Sequence, residues 1–547
     1  MQTCSTSHDV RRAPWRLALF ALSICLISTC TFGEEHRPDP KLRHVKHIVV
    51  IYQENWSFDS LYGLFPGANG LAQASPASLN QTDRFDKPLS AQTGQPFSLV
   101  SGLLNLTTPP PPINTNTSPA SIDNRFTPGL NTLLPYNILQ NSTLQPNDTT
   151  GDIVHRYWHE QSQINGGAMD WFVTWSDNPG LVMSYFDATN LPEGLLAQQY
   201  TLDDNFFHAA FGGSFLNHQF LIAAQAPVYP NAPTSMQAVL DTDGQLKVNP
   251  TTGKIVHDGN ITPIGGVSFT VPTMTFNKNY AVNTIFSANL VPTFSTVGPA
   301  LLPSLNDSDS SDTTRGPFIQ TIGDRLSAKH ISWKWYSGGW DNALASSVSN
   351  PANNGAVPPN APVDPLFQWH HQPFAYYDNY APFKNGARNP VSAAHLQDEN
   401  DFFLDLQGER LPAVSFIKPL GPDNEHPGYA GLLRGQQHVA DLVNAVKHSD
   451  YWENTLIVVT YDEHGGRWDH VTPPVTGIWG NGSRVPGIII GPLARRHFVD
   501  HTQYSTLSIL KTIEERFGLE PLSSLDAQAN SLKNSLRQSD DDDDDEQ

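Results

Sequence analysis

Cysteine is nearly missing from this chain. Only three of its 547 residues are Cys, namely Cys4, Cys25 and Cys30. Beyond residue 30 this excludes a cysteine nucleophile, a Cys-ligated zinc site and any disulfide framework. The body must be held by its hydrophobic core, which this length permits. Positive charge is also scarce. Against 53 acidic residues stand 32 Lys and Arg, a formal charge of −21. Such a surface argues against unspecific nucleic-acid binding. The tail "SDDDDDDEQ" supplies seven of the negative charges. Its run Asp540–Asp545 reads as a solvated, disordered end, with a metal-binding tail as the alternative.

A membrane-length apolar run is absent as well. Arg11, Arg12 and Arg16 precede "LALFALSICLIST", which has 13 residues. That is the charged-then-apolar order of an export signal, too short for an ordinary span. The expectation is an exported protein, periplasmic or secreted, with a signal peptide over 1–33 and no transmembrane helix in the mature chain. "ISTC", ending at Cys30, resembles a lipoprotein processing site, although its Thr and Ile fit poorly. A lipid anchor at Cys30 is one alternative and a single N-terminal membrane anchor another. The pair Arg11–Arg12 lacks the company of a twin-arginine signal.

Several motifs are missing too. There is no Gly-x-Ser-x-Gly elbow, no His-Glu-x-x-His zinc pattern, no phosphate-binding Gly-rich loop, no internal repeat and no coiled coil. Gly and Pro are plentiful instead. Together they number 83, about 15% against a usual ~12%, which implies long, turn-rich connections.

What is present alternates. "HIVVIYQ", "TLIVVTY" and "RVPGIIIGP" are apolar runs of strand length. Between the strands lie helical stretches beginning near "DIVHRYWHEQ", "PEGLLAQQY", "GLLRGQQHVADLVNAVKH" and "YSTLSILKTIEERFG". Continuous apolar strands alternating with helices predict an α/β fold: a mostly parallel central sheet with helices on both faces. Length alone allows two to four domains or one elaborated unit. We assign 34–46 as a linker and 47–525 as one catalytic domain, with a β-rich insertion at 226–300. Residues 526–547 are expected to form an acidic, disordered tail. Residues 104–150, rich in Pro, Asn and Thr, read as loop.

Two strands share a design. "HIVVIYQEN" and "TLIVVTYDEHGG" each end on polar groups just past the apolar run. In open α/β sheets, ligands bind outside the carboxyl ends of the strands. Glu54, Asn55, Asp462 and Glu463 are therefore expected at one rim. Three carboxylates there repel unless a cation lies between them, and a hard divalent cation suits oxygen donors. Separate caps and surface charges are the bland alternative. In "AFGGSFLNH" two glycines precede Ser214. The hydroxyl is either exposed there as a metal-activated nucleophile or part of an ordinary turn. His155, His371, His426, His464 and His470 lie in loops or at element ends, and spacing does not choose among them.

At these residues the chain resembles a known family. The stretches "IVVIYQENWSFDSLYG", "GGAMDWFV", "LDDNFFHAAFGGSFLNHQF", "SWKWY", "HHQPFAYY", "EHPGYAGLLRGQ", "TYDEHGGRWDHVTPP" and "RVPGIIIGP" occur in the order found in bacterial phosphoesterases. That family contains acid phosphatases and non-haemolytic type phospholipases C. The resemblance implies a fold similar to alkaline phosphatase and the sulfatases. It implies a divalent metal, of unspecified identity, on Glu54, Asn55, Ser214, Asp462 and Glu463. Ser214 would be both ligand and nucleophile, passing through a phosphoserine intermediate. His155, His371 and His426 would contact the phosphoryl group or protonate the leaving oxygen. Asn217 would donate to a phosphate oxygen. The implied substrate is a small phosphoester, as for an acid phosphatase. A phospholipid head group is the alternative, and a catalytically inactive binding protein on the same fold is a third. One departure stands out: where phospholipase C members have Thr-x-Pro-Asn-Arg, this chain has "SFLNH". Leu216 and His218 replace Pro and Arg, which removes a bidentate phosphate clamp.

Overall fold

Eight strands form the central sheet. In chain order they are β1 (His47–Gln53), β2 (Thr201–Asp203), β3 (Trp333–Ser337), β4 (Leu396–Asp398), β5 (Val414–Lys418), β6 (Thr455–Tyr461), β7 (Gly487–Ile490) and β8 (Phe498–Asp500). Their spatial order is β4-β3-β5-β1-β6-β7-β2-β8. All neighbours run parallel except β7, which is antiparallel to both β6 and β2. The fold is therefore α/β with a mostly parallel sheet. The computed structural model describes residues 39–82, 100–101, 121–122, 125–127, 129–229, 232–242, 244–251, 255–263, 269–271, 274–276, 279–285, 319–347, 350–353, 364 and 366–538. The expected signal peptide, the start of the expected linker and the end of the expected tail lie outside them; the start of that tail is ordered rather than disordered, with Ser524–Gln528 helical and Leu532 and Leu536 buried.

The helices used below are α1 (Tyr157–Ile164), α2 (Pro192–Gln199), α3 (Ser214–Ala223), α4 (Glu399–Gln407), α5 (Leu432–Lys447) and α6 (Thr506–Phe517). They cover both sheet faces, as two consecutive residues of β1 show. Tyr52 packs its ring edge-on to His218 of α3, with centroids 4.9 Å apart. Gln53 points the other way and donates to Glu425 Oε1 at 3.0 Å. On that second face Tyr461 donates to Glu193 of α2 at 3.0 Å. Helix α3 packs with α6, and α2 with α5.

Burial follows. Every residue of β5 and β6 is buried, and all of β1 after His47. This is why their sequences are continuous rather than alternating apolar runs. Each such Val, Ile or Leu contributes ~1.5–3 kcal/mol relative to exposure. Within 226–300 two short antiparallel pairs are described, Ile261–Pro263 with Asn279–Ala281 and Phe269–Val271 with Met274–Phe276. Among the described residues no helix is long and apolar enough to cross a membrane.

Candidate active site

Three adjacent parallel strands end at one level, and each ends on polar groups. Ile51 of β1 lies opposite Ile417 of β5, and Gln53 opposite Tyr461 of β6. Lys418, Glu54–Asn55 and Asp462–Glu463 thus emerge side by side. The ladder continues one step further, because the Asp462 amide donates to the Gln53 carbonyl at 3.0 Å. All five side chains are fully buried.

Asn55 organises the cluster. Its φ of +70° is left-handed, a conformation that Asn adopts more readily than most residues. The turn lets its backbone N–H donate to Asp462 Oδ1 at 3.2 Å. Its side-chain Nδ2 donates to Nε2 of His426 at 2.9 Å and of His155 at 3.3 Å. Each imidazole commits its other nitrogen to a carbonyl, His155 to Ile153 and His426 to Pro427, both at 2.5 Å. With Nδ1–H donating there, both rings turn an Nε2 lone pair toward the site.

The carboxylates differ. Glu54 Oε1 lies 2.7 Å from Lys418 Nζ and touches His371 Nε2. Its Oε2 accepts from the Tyr429 hydroxyl at 3.3 Å and lies 3.9 Å from His426 Nε2. Burial pushes the Glu54 carboxyl up, but His371 and Lys418 outweigh it and hold the group well below the usual carboxylate range. Asp462 has no such excess of positive charge. Burial and then the Glu54 charge push it up. Burial and then Asp462 push Glu463 well above its ordinary range.

Ser214 enters as the first residue of α3, after the extended Gly213. Its hydroxyl lies near enough to Asp462 to favour that carboxylate's charged form. The turn before it is tightly built. Gly212 has φ +91°, and a Cβ there would lie 2.4 Å from the Tyr157 amide nitrogen. The Gly212 N–H donates to Glu160 Oε2 at 2.6 Å. The other oxygen of Glu160 accepts from Ser483 N at 2.8 Å and from His208 Nε2 at 2.9 Å.

Do these residues suit a cation? Asn55 Oδ1, Asp462 Oδ2 and Glu463 Oε1 are buried and have no hydrogen-bond partner. Buried oxygens are ordinarily paired. Three unpaired ones beside a serine hydroxyl make a hard-donor set that fits a divalent metal. The closest ligand groupings are different ones, however. Within 4.8 Å of one another lie Glu54, His218 and His371, and separately Asp152, His155 and His426. Two further clusters are Glu160–His208–His464, whose His464 Nδ1 lies 3.4 Å from Glu463 Oε2, and Asp59–Asp469–His470.

The expected site residues therefore come together, with one exception in role. Asn217 lies on α3, but its amide is occupied by the turn. Its Oδ1 accepts from Ala210 N at 3.0 Å, and Nδ2 faces the carbonyls of Ala210, Gly212 and Gly213 at 3.0–3.3 Å. In this arrangement it holds the Ser214 turn and does not offer a donor to the site. A cavity of about 190 Å³ adjoins Gly213, lined by Asp152, His155, Arg156, Asp177, Asn283 and Thr284 among others.

The phosphoesterase family profile matches residues 45–520. This chain is a member of the phosphoesterase family. It is a phosphoric ester hydrolase. It is similar to phospholipase C B of Mycobacterium tuberculosis, 24% identical over 519 residues, covering 89% of this chain and 75% of the relative. A shorter stretch of 149 residues is 32% identical to non-specific phospholipase C6 of Arabidopsis thaliana, covering 22% and 28% of the two chains. Among solved structures, the phosphonate monoester hydrolase of Agrobacterium radiobacter superposes on 63% of this chain and 71% of its own, with 12% identity and a TM-score of 0.29.

Several residues in or behind the site of this phosphoesterase are not evident from local sequence pattern. Lys418 comes nearest to a signal, since "VSFIK" is a third apolar strand ending on a charge. His218 stands in the sequence only as a replacement for Arg. Glu160 and His208 carried no local signal, because their contacts with the Ser214 turn are made in space.

Proposed function

We propose that this phosphoesterase is metal-dependent and uses Ser214 as its nucleophile. The observation that carries the proposal is the cluster of three buried, partnerless oxygens and two histidines held by Asn55, with Ser214 near Asp462 at the start of α3. Glu54, Asn55, Ser214, Asp462 and Glu463 would hold the divalent cation. When bound, the cation supplies positive charge that favours the Ser214 alkoxide and offsets the phosphoryl oxygens.

The chain's own residues do the rest. Ser214 sits at the N-terminus of α3, where the helix dipole favours negative charge on the attacking oxygen and the phosphoryl group. Ser214 Oγ bonds to phosphorus as the bond to the leaving oxygen breaks, giving phosphoserine. His426 is the residue we assign to the proton transfer: its Nε2 lone pair takes up the proton that Ser214 gives up and passes it to the leaving oxygen. It lies at the edge of the cluster with Nδ1 fixed on Pro427, whereas His371 is deeper and engaged with Glu54. Water then attacks phosphoserine and releases phosphate. His155, whose ring lies against that of His426, steadies the phosphoryl group. Asn217 acts on the turn that presents Ser214.

The substrate reading has two arms. The small, polar-lined cavity beside Gly213 suits a compact alcohol on the phosphoryl group, as in a phosphomonoester. The relatives named phospholipase C favour a phospholipid head group instead. Turnover of p-nitrophenyl phosphate against phosphatidylcholine separates them. The export signal read at residues 11–29 supports a periplasmic or secreted location.

Ser214→Ala tests the nucleophile. The proposal expects turnover to fall at least about 10³-fold with folding intact. Wild-type turnover in that variant overturns it.

A further inference from the structure

Glu54, His218 and His371 form a compact carboxylate–imidazole–imidazole group. Glu54 Oε1 and His371 Nε2 touch each other, and His218 Nε2, buried beside them, lacks a hydrogen-bond partner. On donor chemistry alone this is a transition-metal set. The two imidazoles are fixed rather than loose. Their rings stack with centroids 5.3 Å apart and planes 10° from parallel. His218 Nδ1–H donates one helical turn back to the Ser214 carbonyl at 2.7 Å, so its Nε2 faces the group.

A cation is already there. Lys418 Nζ lies 2.7 Å from Glu54 Oε1, and its side chain is fully buried. The ammonium also lies 5.4 Å from the Tyr52 ring centroid, in cation–π range. It has no hydrogen-bonded partner, so charge rather than a directed bond holds it. The strand order makes the placement obligatory, because β5 lies directly beside β1 and ends at Lys418.

We propose that the Lys418 ammonium occupies the position of a second metal ion, leaving this phosphoesterase a one-metal enzyme. Glu54 is divided between two cations: Oε1 serves Lys418, and Oε2 remains for the metal held with Asn55, Ser214, Asp462 and Glu463. The charge balance agrees. Three carboxylates and one ammonium leave two negative charges, which one divalent ion neutralises. The fixed ammonium also supplies a cation in the cluster where "SFLNH" has lost the arginine of related sequences. This inference rests on the metal reading above.

The test is a Co²⁺ titration of the full-length, metal-stripped protein, followed by visible absorption and elemental analysis. Desalting first removes ions held weakly by the Asp540–Asp545 tail. Wild type is expected to retain one ion per chain. Lys418→Met, which keeps length and loses charge, is expected to retain two. The second ion should bring the intense visible bands of low-coordinate Co²⁺ with imidazole ligands. Lys418→Arg restores the charge and is expected to retain one. Two tightly held ions in wild type overturn the inference, as does a folded Lys418→Met that still holds only one. No retained ion in wild type overturns the metal reading itself. If Lys418→Met does not fold, the wild-type and Lys418→Arg counts decide: one ion in each supports the inference, and two in either overturns it.

Discussion

Gly212→Ala tests how Ser214 is aimed. An alanine here must adopt φ +91°, and its Cβ would lie 2.4 Å from the Tyr157 nitrogen and 2.5 Å from its Cα. Both obstacles are backbone in or beside α1, so the turn has to move instead. The conformational penalty is roughly 1–2 kcal/mol. Displacing the turn also breaks the 2.6 Å bond from Gly212 N–H to the buried Glu160 carboxylate, a charge-assisted bond contributing about 1.5–3 kcal/mol. The total destabilisation is then about 2.5–5 kcal/mol, readable by urea unfolding. Ser214 lies two residues on, and a displacement of roughly 1 Å costs about 100-fold in rate. Phosphoester turnover should therefore fall in kcat far more than KM rises. Glu160→Gln should share part of this loss, giving a non-additive double-mutant cycle. A Gly212→Ala protein within about 1 kcal/mol and threefold of wild type would refute the rigid-turn reasoning.

Other variants separate stability from catalysis. Asp177 accepts from Val154 N at 2.7 Å, and burial pushes its carboxyl up to about 7. The folded protein therefore holds a proton that the unfolded chain releases near 3.8. That contribution is full below the lower value and is lost as pH rises through the higher one, at most about 4 kcal/mol. Asp177→Asn keeps the acceptor and has no proton to lose, so unfolding measured from about pH 4 to 8 should show a flatter profile. Arg484 is fully buried between Asp469, at 2.9 Å, and Asp59, at 3.1 Å. Arg484→Met should cost about 3–5 kcal/mol by stranding two carboxylates. Turnover of the fraction still folded should stay near wild type, since neither Asp is among the proposed ligands.

The sheet was legible because burial on both faces forces continuous apolar runs, and β1 and β6 are such runs. The antiparallel β7 was not, since "GIII" reads the same in either direction. Helix α6 showed its end in Gly518, which takes the left-handed conformation at φ +64°. The two strand ends bearing Glu54 and Asp462 were legible because a carboxylate after an apolar run demands compensation. Lys418 demanded the same question, but a lysine after a strand ordinarily extends to solvent. Only the neighbouring β1 supplies the carboxylate that keeps it buried. Asp59 reads as a turn residue for a similar reason. It closes onto Arg484 and His470, whose nearness depends on the fold.

The central claim is that Ser214 carries the phosphoryl group. Acid-quenching the full-length enzyme during turnover, then mapping peptides by mass spectrometry, tests it most directly. The account predicts a phosphoryl adduct on Ser214, absent from Ser214→Ala. A folded, turning-over enzyme that carries the adduct on another residue contradicts it.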